Sequence, residues 1–359
     1  MALSTELGLG HVEFHVANVA TTAASLISQY GFRPIGWAGF QGTSRDGYSL
    51  ALRQGGIDLL LTKGLTDRHP ATSYVQTHGG GVADIALSTP DPGAAFTTAV
   101  AHGAQPVAGP ATGPDGRVTA TIAAFGDVVH TFVQPAETGT AVPAGCTPMP
   151  DADEPVGPAL FTGIDHFAVC LEPGQLEPTV RFYEQVLGFR MIYAERITVG
   201  SQAMDSKVVQ SESGRVTLTL IEPDTTADPG QIDDFVKDHG GAGVQHVAFG
   251  TDNIVRAVGL LRDRGVEFLS TPGAYYDMLD QRLRPAGYDT ADLRRLSILV
   301  DEDHDGQLFQ IFTRSTHPRR TLFYEVVERM GARTFGSGNI RALYEAVEAE
   351  RVRPAELAG

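Results

Sequence analysis

The chain repeats itself at the scale of a domain, and that limits its fold more than any other feature. "GLGHVEFHV" from Gly8 matches "GIDHFAVCL" from Gly163, and each runs into a helical stretch that ends in "YGFRPIG" or "LGFRMIY". Further on, "HGGGVADIALST" from His78 matches "HGGAGVQHVAFGT" from His239. Each is followed by an Ala/Val-rich helix and then by "GAQPVAGP" or "GVEFLSTP". Segments that recur in one order over such a distance mark a duplicated domain, not a short solenoid period. Between the copies, Ala136 to Leu160 carries Pro143, Pro148, Pro150, Pro155 and Pro158, which exclude a regular helix or a central strand. The expected organisation is a first domain over 1–135, a linker over 136–160 and a second domain over 161–359.

Within each copy, strand patterns alternate with short helices. In "HFAVCL", His166, Ala168 and Cys170 fall on one face and Phe167 and Val169 on the other. "PTVRFYEQVLGF" carries Val180, Tyr183 and Leu187 at helical spacing, and Gly188 is placed to end the helix. The expected fold class is α+β: curved mixed sheets that wrap a site, with helices on their outer faces.

Composition narrows the function classes. With 42% hydrophobic and 19% charged residues, the 359-residue chain has the makeup of a well-cored soluble protein. A formal net charge of −16, with no local run of Lys and Arg to offset it, argues against nucleic-acid binding. No apolar run approaches the roughly 20 residues that span a bilayer, and Met1 to Gly10 has neither the basic nor the apolar part of a signal peptide. Cys146 and Cys170, one in a Pro-rich stretch and one in an apolar strand, do not suggest a disulfide framework. A reduced, cytoplasmic setting is expected.

Three residues carry the candidate chemistry. His166, His246 and Glu325 are separated by 80 and 79 positions, and each lies in a strand-like stretch. His166 and His246 sit in apolar strands, where an unpartnered imidazole costs free energy on burial. Glu325 lies in "TLFYEVVERM", among Phe323, Tyr324, Val326 and Val327, where a buried carboxylate needs a cation or a proton. Two neutral imidazoles and one carboxylate leave open positions on a metal, a set suited to ferrous iron, Fe(II). The repeat puts His11 in line with His166 and Asp84 in line with His246. It also matches "GDVVHTFVQ" from Gly126 with "GQLFQIFTR" from Gly306, and no carboxylate of the first copy matches Glu325. A full ligand set is therefore expected in the second half alone. His78 and His239, which precede Gly-rich turns, read as local hydrogen-bonding residues.

The last third is the most specific stretch. "GQLFQIFT" (306–313), "TLFYEVVERMG" (321–331) and "TFGSGNIRALYEAVE" (334–348), together with "GIDHFAVCL" and "GAGVQHVAF", resemble the 4-hydroxyphenylpyruvate dioxygenase family over nearly the whole chain. The resemblance implies the vicinal oxygen chelate fold, built of paired βαβββ modules, with a C-terminal lid helix and Fe(II) on His166, His246 and Glu325. It implies 4-hydroxyphenylpyruvate and O2 as substrates, with no catalytic residue beyond the metal ligands. It further implies Ser206, Thr219 and Gln310 as polar substrate contacts, and Phe312, Phe323, Phe335 and Ile340 as walls for the ring.

Two departures bear on the product. The chain reads Thr219-Leu220-Ile221 where the homogentisate-forming enzymes have Pro-x-Asn, and Ile340 where they have Phe. Both resemble the branch of the family that hydroxylates the benzylic carbon, so (S)-4-hydroxymandelate and CO2 are the expected products, with homogentisate as the alternative. Ile340, Leu343, Tyr344 and Val347 share one helical face, suited to docking over a pocket. An extradiol catechol dioxygenase and a ligand-sequestering module without catalysis are more distant readings on the same fold. A homodimer is left open, since the first half has no full ligand set and could supply an interface.

Overall fold

Alternation of side chains along the strands decides which face of each sheet becomes core and which becomes site. The computed structural model describes residues 7–39, 46–135, 142–150, 159–336 and 338–339. Ile340 and the expected lid helix lie outside the described residues. The first sheet contains β1 (Gly8–His15), β2 (Arg33–Ala38), β3 (Gly47–Gln54), β4 (Ile57–Gly64), β5 (Gly81–Ser88), β6 (Pro106–Thr112), β7 (Val118–Ala123), β8 (Val129–Val133) and β9 (Thr147–Pro148). Their order is β6-β7-β8-β5-β1-β4-β3-β2-β9. The second contains β10 (Gly163–Cys170), β11 (Arg190–Val199), β12 (Gln202–Gln210), β13 (Thr217–Pro223), β14 (Gly243–Gly250), β15 (Leu299–Glu302), β16 (Gln307–Phe312) and β17 (Phe323–Met330). Their order is β11-β12-β13-β10-β14-β17-β16-β15.

Helices α1 (Val19–Ser28), α2 (Pro70–His78) and α3 (Pro92–Ala101) belong to the first half. Helices α4 (Leu176–Leu187), α5 (Gln231–His239), α6 (Ile254–Asp263), α7 (Gly273–Arg282) and α8 (Thr290–Leu296) belong to the second. Each half is βαβββ twice over, joined by α2 or α5. Its first strand pairs antiparallel with the first strand of its second module, and each of those pairs parallel with the last strand of its own module. This is the two-domain vicinal oxygen chelate fold, α+β with curved mixed sheets. Among the described residues, no helix is long and apolar enough to cross a membrane.

The helix in "PTVRFYEQVLGF" forms as its spacing predicts. Leu176, Val180, Tyr183 and Leu187 of α4 are buried, and Gly188 ends it in the left-handed region at φ 69°, with its N–H on Tyr183 O. Only glycine adopts that conformation without strain. The segment 142–150, read from sequence as linker, instead adds β9 to the edge of the first sheet, with Gly36 opposite Pro148. An edge position tolerates Pro148, which has no N–H to give to a ladder.

The sheet order corrects one match between the copies. β8 holds the place of β17, not of β16, so "GDVVHTFVQ" corresponds to the strand of Glu325. Asp84 faces Val129 and Leu87 faces Phe132, both at an offset of 45, which puts Thr131 opposite Ala86. Ala248 faces Glu325 in the second half. Thr131 therefore stands where Glu325 stands, His11 where His166 stands, and Asp84 where His246 stands. Asp84 is buried and accepts from the Thr131 N–H at 3.0 Å. Burial first, and then the neighbouring Glu13 carboxylate, push its pKa up to about 8.

One continuous core joins the halves. The outward Phe249 of β14 stacks on Phe161 at 4.7 Å and meets Tyr30 and Phe32 of the first half at 6.4 and 6.0 Å. His130 of β8 is fully buried. Its Nδ1 lies 2.8 Å from Ile85 O, which can only accept, so Nδ1 carries the proton and Nε2 accepts from Tyr183 O–H at 2.8 Å. His239 makes the local bond expected of it, Nδ1 to Gly241 O at 3.0 Å, but His78 does not stay local. Their rings stack at 4.3 Å, and His78 Nδ1 lies 2.9 Å from His239 O across the two halves.

Two outcomes follow from these buried groups. Tyr183→Phe leaves His130 Nε2 without its donor and should lower unfolding free energy by about 1–3 kcal/mol in urea titrations. Asp84 holds its proton in the folded state to a pH where the unfolded chain has lost it, so its contribution falls as pH rises from about 4 to about 8. Asp84→Asn cannot ionise. Its stability relative to the parent should improve by about 1.4 kcal/mol per pH unit across that window, and a pH-independent difference would contradict the neutral carboxyl.

Candidate metal centre

The second sheet collects its inward side chains into one pocket. On β10, His166 and Ala168 point in while Phe167 and Val169 join the core, the alternation expected from "HFAVCL". By the same period of two, β13 supplies Thr219 and Ile221, β16 supplies Leu308, Gln310 and Phe312, and β17 supplies Glu325, Val327 and Arg329. His246 of β14, Ile197 of β11, Ser206 of β12 and Phe335 complete the lining of a cavity whose empty space, its open mouth included, is about 490 Å³.

His166, His246 and Glu325 meet at the floor of this cavity. Glu325 Oε2 lies 3.2 Å from His166 Nε2 and 3.3 Å from His246 Nε2. All three residues are buried, and among the described residues they form the one group of His, Cys, Asp or Glu whose donor atoms converge closely enough to hold a metal ion. Glu325 is only 2% exposed, so its charge has to be met inside the protein. Burial opposes ionisation, but the two imidazoles hold its pKa below the ordinary carboxylate value.

Each ligand histidine is held from behind by the residue that precedes it. A neighbour in a regular strand points to the opposite face, but both histidines follow a break in the ladder. The register of β10 with β14 slips between Ile164 and His166, and again between Ala168 and Val169, opposite Gln245. The extra residues, Asp165 and Gln245, are bulges that turn their side chains back toward the site. Asp165 Oδ1 accepts from His166 Nδ1 at 2.8 Å and Gln245 Oε1 from His246 Nδ1 at 3.3 Å. With Nδ1 committed, Nε2 of each ring is the atom left to face a cation.

The two rings sit in different electrostatic surroundings. Burial disfavours a charged His166, yet Glu325 and Asp165 on either side raise its pKa to about 9. Burial keeps that of His246 below the usual value despite Glu325. Two carboxylates around one imidazole form a site that seeks positive charge, so the residues fit a divalent metal. The first sheet has the same pair of register slips, beside Gly10 and Ala83. Gly10 has no side chain and Ala83 only a methyl, so neither can accept a hydrogen bond from a ring, and Thr131 stands in place of the carboxylate.

Of the expected substrate contacts, Ser206, Thr219, Gln310, Phe312 and Phe335 line the cavity with the triad. The Thr219 hydroxyl is buried with no partner among the described residues, turned into the space a ligand would fill. Phe323 does not line the cavity. It stacks on the ring of His246, with centroids 4.9 Å apart. Leu308, Val327 and Arg329 were not singled out in sequence, although the alternation from Gln310 and Glu325 points to them. Asp165 and Gln245 had no such signal, because a bulge cannot be read from alternation.

Residues 163–311 match the model of the Glyoxalase/Bleomycin resistance protein/Dioxygenase superfamily. The chain is 33% identical to a 4-hydroxyphenylpyruvate dioxygenase of Dictyostelium discoideum over 96% of its own length and 98% of that protein's. It is 32% identical to the Aspergillus fumigatus enzyme over 98% and 94%. A solved structure of a triple mutant of 4-hydroxymandelate synthase from Streptomyces coelicolor superposes with a TM-score of 0.88. It shares 42% identity and covers 97% of this chain and 99% of that one. The repeat, the paired βαβββ modules and these full-length matches agree: the chain belongs to the 4-hydroxyphenylpyruvate dioxygenase family of non-haem iron dioxygenases, the family that includes 4-hydroxymandelate synthase.

Proposed function

We propose that the chain is an Fe(II)-dependent dioxygenase that converts 4-hydroxyphenylpyruvate and O2 to (S)-4-hydroxymandelate and CO2. The observation that carries this reading is the triad of His166, His246 and Glu325 at the floor of a cavity with an apolar wall and few polar groups. One atom of O2 enters the new carboxyl group and the other the benzylic hydroxyl, while the original carboxyl leaves as CO2. The 2-keto acid is its own reductant, so no nicotinamide or second keto acid is required. Ferrous iron, when held by His166, His246 and Glu325, would supply the redox chemistry for activating O2.

The protein's part is to hold and to orient. Glu325 lowers the net charge of the centre by one, and Asp165 and Gln245 keep both imidazoles turned with Nε2 inward. Phe312, Phe335, Ile197, Leu308 and Val327 provide surface for an aromatic ring and exclude water. Thr219, Ser206 and Gln310 are the groups available to orient the phenol and the keto-acid end. The choice of the benzylic over the ring carbon rests on the wall of β13 and on the 42% identical synthase structure. Ile221 presents alkyl surface inside the cavity where the homogentisate-forming pattern has an amide. Ile340 is assigned to the same pocket from sequence. Two free buried thiols, Cys146 and Cys170, support a cytoplasmic setting.

The direct test is turnover by the full chain, reconstituted anaerobically with ferrous iron and then given 4-hydroxyphenylpyruvate and air. The expected product is 4-hydroxymandelate with an equal amount of CO2, and homogentisate as the main product would overturn the assignment. Glu325→Ala should weaken ferrous binding by about 100-fold or more, beyond the cost typical of an outer-sphere partner. Thr219→Val removes one hydrogen bond from a pocket of unchanged shape. It should raise KM by roughly 3–10-fold with iron affinity unaltered, and an unchanged KM would remove Thr219 from the substrate contacts.

A further inference from the structure

Four contacts close a ring around the first ligand imidazole. His166 Nδ1 donates to Asp165 Oδ1 at 2.8 Å. Arg329 grips the same carboxylate with two bonds, Nε to Oδ2 at 2.7 Å and Nη2 to Oδ1 at 2.9 Å. The guanidinium lies over the Phe335 ring at 4.9 Å, and the edge of that ring meets His166 at 5.1 Å and 87°. Arg329 Nη1 also donates to Thr334 O at 2.7 Å and Ala332 O at 3.4 Å. Every nitrogen of the guanidinium therefore has a protein acceptor, although the side chain borders the cavity. A group engaged in this way is poorly placed to bind a substrate carboxylate and well placed to hold other groups still.

We infer that Arg329 and Asp165 are a positioning pair for His166, which ties the aim of this metal ligand to the seating of residues 332–335 and of Phe335 at the cavity wall. The inference rests on reading the triad as the metal centre. A planar, bidentate Arg–carboxylate pair resists rotation as a single point charge cannot. Asp165 is the bulge residue of β10 and has only a short side chain, so its carboxylate stays where Arg329 holds it. The other half of the molecule offers an internal comparison. It keeps the bulge but has Gly10 there, and its β8 ends at Val133, before the position equivalent to Arg329. The support and the ligand set are both absent from that half.

The test compares the parent with Arg329→Met, Arg329→Lys and Asp165→Asn in the full chain. Affinity for Co(II) and Fe(II) is titrated without substrate, and kcat and KM are measured separately. The visible band of the anaerobic ferrous protein with 4-hydroxyphenylpyruvate is recorded as well. Arg329→Met should weaken metal binding and lower kcat by about 10–100-fold each, shift that band, and change KM by less than about threefold. Arg329→Lys, which keeps one charge-assisted bond, should recover part of both losses.

A rise in KM with metal affinity unchanged would make Arg329 a substrate ligand and overturn the pair. So would parent-like metal affinity and band position in Arg329→Met. If Arg329→Met does not fold, Asp165→Asn decides: it keeps an acceptor for His166 Nδ1, and metal affinity and band position equal to the parent's would overturn the pair. Failure of the parent itself to bind iron or turn over the keto acid would instead refute the function proposed above, which separates the two claims.

Discussion

A carboxylate with almost no access to water sets the conditions for the second half of the molecule. Glu325 is 2% exposed on a strand whose flanking residues are apolar, and such a charge is tolerated only where partners are fixed in advance. The two imidazoles are those partners, and they are themselves fixed, because an imidazole free to turn would as often offer the wrong nitrogen. The bulges on β10 and β14 solve this locally by giving each histidine a hydrogen-bond acceptor one residue away. The geometry of the centre is thus written into the backbone, and the side chains inherit it.

The duplicated first half shows which parts of this arrangement belong to the fold and which to chemistry. Sheet order, βαβββ connectivity and both register slips recur. What does not recur is the polar content: a threonine where the carboxylate would be, a carboxyl that keeps its proton where a neutral imidazole would be, and glycine and alanine at the bulges. Bulges survive without ligands because they shape the curvature of the sheet, which both halves need. Ligands do not survive without a cation, because their burial then has nothing to offset it.

Much of this was legible in the sequence, for reasons that differ by residue. The duplication shows as segments that recur in one order, and the helix ended by Gly188 and the inward face of β10 follow from periodicities of 3.6 and 2, which survive folding unchanged. His166, His246 and Glu325 stood out because polar groups inside apolar strands are costly and therefore informative. The match of β8 to β16 failed because short strands with similar alternation are interchangeable until their pairing is known, and only the ladder separates them. Phe323 was placed in the pocket because alternation gives a face but not a depth along the strand. His239 does bond within its own glycine-rich turn, but His78 looked local only because such a turn says nothing about what packs on a histidine from another domain. Asp165 and its pairing with Arg329 were invisible, since a bulge and a pair 164 residues apart in sequence leave no trace in any window.

The strand that carries His246 also carries Phe249, and the two point in opposite directions. One faces the metal centre, while the other stacks on Phe161 and packs among Tyr30 and Phe32. Tyr324, beside Glu325 on β17, likewise turns outward to meet Tyr30 at 5.1 Å. Two of the three residues of the candidate metal centre thus share their strands with the aromatic seam between the halves. The first half, which offers no such group of donor atoms among its described residues, is for this reason not dispensable cargo. Cut away, it would leave water against the backs of the strands whose fronts hold the centre, and a lineage that lost the first half's chemistry would still be bound to keep its bulk.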